Sequence, residues 1–136
     1  MKRNLAFVIG AVAVAALVHV LEKPTTERNP TMSAGILELN ESNFAAETQS
    51  GVVLVDFWAP WCGPCRMQGP ILEQVVGQVP GAKIAKLNVD DAGAVAAKFN
   101  VMSIPTLIVF KDGKPVKQFV GVQQAPTLIA ALEAAK

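Results

Sequence analysis

Residues Val52-Val53-Leu54-Val55-Asp56-Phe57-Trp58 form an almost unbroken apolar run. A strand with one wet face alternates apolar and polar residues; this one does not, so it reads as a strand buried on both faces. Such a strand needs layers on either side of its sheet, and the surrounding sequence offers them. Ile36–Leu39 reads as a short strand, and Ser42–Gln49 as a short helix with Phe44 turned inward. A helix follows from Cys62 to about Val79, with Pro70 inside it predicting a kink. Lys83–Asn88 is the next strand, and Asp91 is placed to cap a helix over Ala92–Phe99. Thr106–Lys111 and Val116–Val120 flank Asp112-Gly113-Lys114-Pro115, a hairpin signal. Gln124–Ala135 closes the chain as a helix with Pro126 in its first turn. The order β-α-β-α-β-α-β-β-α implies an α/β fold: a mixed central sheet flanked by helices on both faces. At 136 residues there is room for one such domain over 36–136, and no internal repeat is visible.

The N-terminal part differs in character. Residues 1–33 carry Lys2, Arg3, Lys23 and Arg28 against Glu22 and Glu27, a net +2, whereas the rest has eight basic and nine acidic residues, a net −1. So even a balance argues against a nucleic-acid partner. Leu5 to Leu21 contains no charge. As a helix it would span about 25 Å, slightly short of the roughly 30 Å hydrocarbon core of a bilayer. Residues 1–21 therefore read as an apolar signal-anchor or a cleaved signal peptide. Small-residue cleavage sites exist at Ala11-Val12-Ala13 and Ala13-Val14-Ala15, but the apolar run continues past them, which favours an uncleaved anchor. With Lys2 and Arg3 retained in the cytoplasm, the domain would lie outside it. Cleavage would leave it secreted or periplasmic, and a start at Met32 would leave it cytoplasmic. Residues 22–35, with two prolines and several threonines, read as a linker. His19, alone in the apolar run, reads as a passenger.

Cys62 and Cys65 are the only cysteines. Two cysteines make no disulfide framework, and a bridge closing so small a loop adds little chain-entropy stabilisation, so the pair matters for reactivity. It sits at the join of the buried strand and the long helix, where open α/β sheets place their chemistry. Unpaired N–H groups and the dipole at the helix start favour a Cys62 thiolate, the species that attacks a disulfide. Cys65 lies one turn further in, expected to be more shielded, and is the candidate resolving thiol. Pro64 suits the first helical turn, and Gly63 admits a partner's backbone. Zinc would need about four ligands, and beyond this pair the chain has only His19. Haem attachment would need His at 66, where Arg66 stands. An inert structural pair remains as the bland alternative.

Asp56 interrupts the apolar strand six residues before Cys62, where a carboxylate is costly to bury. It is either satisfied by Lys86 on the next strand or held as an acid of raised pKa that takes the proton from Cys65. The two readings are compatible.

The run Val55-Asp56-Phe57-Trp58-Ala59-Pro60-Trp61-Cys62-Gly63-Pro64-Cys65-Arg66-Met67 closely resembles the active-site region of thioredoxins. The likeness extends over about 36–136 and includes Pro70, Lys86-Leu87-Asn88-Val89-Asp90, Ser103-Ile104-Pro105-Thr106 and Gly121. It implies the thioredoxin fold and a cis Ile104–Pro105 peptide beside the cysteines. It also implies that the Ile104 backbone pairs with a substrate segment as an added strand, in a shallow groove bordered by Trp61 and Gly121. Gly63-Pro64 implies a reducing potential. Arg66 stands where thioredoxins usually have Lys, and Ala59-Pro60 precedes the motif where an acidic residue is common in second place. The leader departs from general thioredoxins, which are soluble. Tethered relatives serving cytochrome c maturation usually carry a mid-domain insertion, and none lies between Asn88 and Ile104.

The expected activity is reduction of protein disulfides by dithiol exchange, without metal or organic cofactor. The expected partners are disulfide-containing clients and a thioredoxin reductase or membrane electron donor, with the domain a monomer. Alternatives are a tethered extracytoplasmic reductase with a narrow client such as apocytochrome thiols, and a structural binding module indifferent to redox state.

Overall fold

The computed structural model describes residues 32–136. The apolar run at 5–21, His19 and most of the linker lie outside the described residues. Ten elements follow in order: β1 Met32–Ser33, β2 Ile36–Leu39, α1 Phe44–Thr48, β3 Val52–Trp58, α2 Gly63–Val75, β4 Lys83–Asn88, α3 Gly93–Lys98, β5 Thr106–Lys111, β6 Lys114–Val120 and α4 Ala125–Ala134. The six strands form one sheet in the order β1-β2-β4-β3-β5-β6. β2, β4 and β3 run parallel, whereas β5 is antiparallel to β3 and β6 to β5. The mixed sheet and the central, doubly covered β3 agree with the sequence reading.

Alternation along β3 sorts the core into two layers. Val53, Val55 and Phe57 face a cluster with Phe44, Leu87, Ala96, Ile108 and Phe110, on the α1 and α3 side. Val52 and Leu54 face Leu72, Val75, Ile84, Leu107, Leu128 and Leu132, on the α2 and α4 side. Because successive strand side chains point to opposite faces, Asp56 shares the face of Leu54 and looks toward α2. In the first layer Phe44, Phe99 and Phe110 meet in tilted and edge-on pairs with centroids 5.0–5.5 Å apart. Those are the separations at which aromatic quadrupoles attract.

Several local expectations are corrected. α2 stops at Val75 rather than near Val79, because Val76 turns extended (ψ 126°) and Gly77 takes the left-handed region. Asp91 does not cap α3: Ala92 occupies the cap position without a side-chain bond, and Glu41 Oε1, from the segment before α1, accepts from Ala94 N–H at 3.3 Å. Strand pairing begins inside the stretch read as linker, where β1 folds back on β2 through Ala34 and Gly35. The hairpin turn is tighter than expected. Asp112 and Gly113 both have positive φ, the signature of a two-residue primed turn, so β6 already starts at Lys114. Pro115 is tolerated there because β6 is an edge strand.

Candidate active site

β3 ends at Trp58 and α2 starts at Gly63, and the loop between them carries the chemistry. Cys62 is the N-cap of α2: its backbone is extended, and its sulfur accepts from Cys65 N–H at 3.2 Å. A cap residue normally offers an oxygen here; the sulfur in that place receives the same N–H and the same dipole. Pro64 occupies the first turn, where a missing N–H costs nothing. A disulfide joins Cys62 to Cys65, with Cα atoms 5.3 Å apart.

In this oxidised form Cys62 and Cys65 are almost equally buried, at 5% and 4% exposed, so exposure does not separate them. Their surroundings distinguish them instead. Cys62 Sγ lies 3.7 Å from the Ile104 carbonyl oxygen, at the cis Ile104–Pro105 peptide that the family likeness implied. Cys65 lines a cavity of about 160 Å³ together with Asp56, Trp58, Arg66, Gly69 and Lys86, among others.

Asp56 is 3% exposed, and its Oδ1 has no hydrogen-bond partner. Burial pushes its pKa up from 3.8 to about 7, against a smaller downward pull from the Lys86 charge. Lys86 is in register with Asp56 across β3 and β4, yet its ammonium pairs with Glu38 at 3.5 Å and lies 5.0 Å from the centroid of the Trp58 ring. Of the two readings of Asp56, satisfaction by a direct lysine pair therefore fails at Oδ1, and the raised pKa stands.

Around the disulfide, Trp61 is 69% exposed, and its indole N–H donates to the Asp90 carboxylate at 3.0 Å. Arg66 reaches back to the Pro60 carbonyl at 3.1 Å. Gly121, with positive φ, donates its N–H to the Pro105 carbonyl at 2.8 Å, which holds it against the cis-proline segment. Thus Cys62, Cys65, Asp56, Trp61, Gly63, Pro64, Ile104, Pro105 and Gly121 are brought to one end of the sheet, with Lys86 in register beside Asp56 and lining the same cavity. Asp90 was not foreseen as the anchor of Trp61. No sequence signal marks it, because the two residues are 29 positions apart. Among the described residues, no group of three or more His, Cys, Asp or Glu could hold a metal ion.

Comparison with known proteins gives this geometry its family. The thioredoxin family model matches residues 35–134. The chain belongs to the thioredoxin family. It is 56% identical over 99 residues to thioredoxin from Staphylococcus saprophyticus, covering 72% of this chain and 95% of that one. The corresponding figure for Staphylococcus aureus thioredoxin is 50%, over the same shares. The solved structure of a single-substitution mutant of thioredoxin from Halobacterium salinarum superposes with a TM-score of 0.69 at 35% identity, covering 77% of this chain and 95% of that one. Thioredoxins reduce protein disulfides through a redox-active cysteine pair without a cofactor, and Cys62–Cys65 is that pair here. The chain is accordingly a protein-disulfide reductase, whose substrates are disulfide-containing proteins and whose electrons come from a reductase.

Proposed function

We propose that, within this activity, Cys62 attacks, Cys65 resolves and Asp56 accepts the Cys65 proton. The Cys62 thiolate attacks one sulfur of a client disulfide, forming a mixed disulfide and releasing the other client sulfur as a thiolate. Cys65 then gives its proton to the Asp56 carboxylate and attacks Cys62 Sγ. The second client sulfur leaves, two electrons have passed to the client, and Cys62–Cys65 is oxidised. A reductase or membrane electron donor restores the dithiol. The observation that carries this assignment is that Cys65 and Asp56 line one cavity while Cys62 Sγ sits outside it, on the helix N-terminus. The cavity exceeds the roughly 30 Å³ that a water occupies, so water has room to relay the proton. Trp61, Ile104 and Gly121 would border the client segment, with the Ile104 main chain pairing as an added strand.

We propose further that residues 5–21 tether a monomeric domain to a membrane, outside the cytoplasm. The support lies in the uncharged run behind Lys2 and Arg3. Among the described residues, no helix is long and apolar enough to cross a membrane. A tether narrows the clients to those within reach at that surface, and apocytochromes, whose cysteine pairs would be returned to thiols, are one such class.

Substitution separates these roles. Cys62→Ser should abolish reduction of insulin disulfides, whereas Cys65→Ser should accumulate mixed disulfides. Retained activity in Cys62→Ser would overturn the assignment. If the Cys62/Cys65 double Ser variant rescued a deletion strain, the domain would be a binding module. For location, Cys62 in briefly reduced whole cells should react with a membrane-impermeant thiol reagent. Labelling only after lysis would put the domain in the cytoplasm, with a start at Met32.

A further inference from the structure

Gln68 stands out on α2. The buried stripe of this helix runs Cys65, Gln68, Leu72 and Val75, and Gln68 is its only amide side chain, with 0% exposure. An apolar residue would fit that stripe without cost, whereas a buried amide loses stability unless its atoms are paired. Here both ends are paired, and to one residue. Gln68 Nε2–H donates to the Gln123 carbonyl at 3.0 Å, and Oε1 accepts from Gln123 N–H at 2.8 Å. The side-chain amide thus acts as a surrogate strand for a residue that belongs to neither strand nor helix, between β6 and α4.

The bonds continue from that point to the groove. Gln123 Nε2–H donates to the Gly121 carbonyl at 3.3 Å, and Gly121 N–H donates to the Pro105 carbonyl at 2.8 Å. Pro105 follows Ile104, whose carbonyl lies 3.7 Å from Cys62 Sγ. A chain of contacts therefore runs from the helix that Cys62 caps, through Gln123, Gly121 and Pro105, back to Cys62. We infer that Gln68 is a positioning residue for protein substrates: it fixes the Gly121–Gln124 segment against α2, so that the groove wall is set before a client strand arrives. Ordering a loop on binding costs affinity, and a loop ordered beforehand avoids that cost. A small disulfide that reaches Cys62 without touching the wall gains nothing from it.

This inference rests on the reading of Ile104 and Gly121 as the client groove. The test compares the full chain with Gln68→Met, an apolar residue of similar length, on two substrates: insulin with dithiothreitol as reductant, and a small aryl disulfide with the pre-reduced protein as the only thiol. For insulin, KM should rise about fivefold or more, the factor that ~1 kcal/mol makes, with kcat changed by less than about twofold. The rate on 5,5′-dithiobis(2-nitrobenzoate) should stay within about twofold of wild type. Equal insulin KM in both proteins would overturn the inference, even if the variant melted lower, because burial alone would then explain Gln68. Equal losses on both substrates would overturn it as well. Failure of the wild type on both substrates would instead sink the reductase reading itself. Amide hydrogen exchange of the wild type gives a second measurement independent of how the variant folds. The Gln123 amide should exchange far more slowly than that of Gln124, and exchange at the rate of free coil would show that the clamp does not form.

Discussion

The buried carboxyl of Asp56 should make stability fall with rising pH in a window that its environment defines. Its pKa rises from 3.8 to about 7 on folding, chiefly through burial. Between those values the folded protein holds a proton that the unfolded chain has released, so raising the pH favours unfolding. Below about pH 4 both states are protonated and nothing is lost; above about pH 7 the full cost is present. That rise is about three units, and at about 1.36 kcal/mol per unit it amounts to about 4 kcal/mol. Asp56→Asn removes the titration while nearly keeping the shape. The difference in unfolding free energy, wild type minus variant, should therefore fall by about 4 kcal/mol from pH 4 to pH 8, at up to ~1.4 kcal/mol per pH unit.

The assay is urea unfolding of the oxidised full chain at half-unit pH steps, extrapolated linearly to water. Subtracting the variant cancels every other carboxylate common to both proteins. Above pH 7 the variant should be the more stable of the two. A difference that stays flat between pH 4 and pH 7 would refute the reasoning, since Asp56 would then ionise as freely folded as unfolded. A difference that rises with pH would refute it more strongly, since the ionised carboxylate would then be held by a partner.

Two further perturbations probe the same framework. Lys86→Met removes the charge that lowers the Asp56 pKa, so it should move that pKa upward; carbonyl-detected NMR titration of Asp56 would read the shift, and a downward move would contradict the stated cause. Gly35→Ala should destabilise by about 1–2 kcal/mol in urea unfolding, because Gly35 has φ +80° and a Cβ there would meet Val76 Cγ1 at 2.7 Å; an unchanged midpoint would mean that the β1–β2 turn is not held against α2.

What could be read from the sequence was whatever local pattern decides. β3 and β4 lie at Val52–Trp58 and Lys83–Asn88, where they were read: the first is a nearly continuous apolar run rich in valine, and both are short segments bounded by turn residues. The cysteine pair and the helix start behind it were equally plain, since Cys62, Gly63, Pro64 and Cys65 are neighbours in the chain. The errors came where distant residues settle a local question. Asp91 had the right side chain to cap α3, but Glu41, 53 positions before Ala94, supplies that bond. Asp90 anchors Trp61 across a gap of 29 positions. The early end of α2 was within reach, because Gly77 marked it, and so was Gln68: a polar residue three positions after Cys65 falls on the helix's buried stripe.

Asp56 draws stability and chemistry onto one scale. A net stability of about 5–15 kcal/mol is usual for a domain, so forgoing about 4 kcal/mol at neutral pH is a large sacrifice that an apolar residue would avoid. The proposed proton transfer shows what is obtained in return. An ordinary cysteine thiol has a pKa near ~8.5, so giving its proton to a carboxylate of ordinary pKa is uphill by nearly ~5 units. With Asp56 at about 7 the gap narrows to between one and two units, on the order of 2 kcal/mol. Every unit by which burial raises the pKa costs the fold about 1.36 kcal/mol and removes the same amount from the uphill transfer. On that account the unpaired oxygen is no packing defect. A partner that satisfied Oδ1 in its ionised form would stabilise the domain and, by the same amount, weaken Asp56 as the base for Cys65.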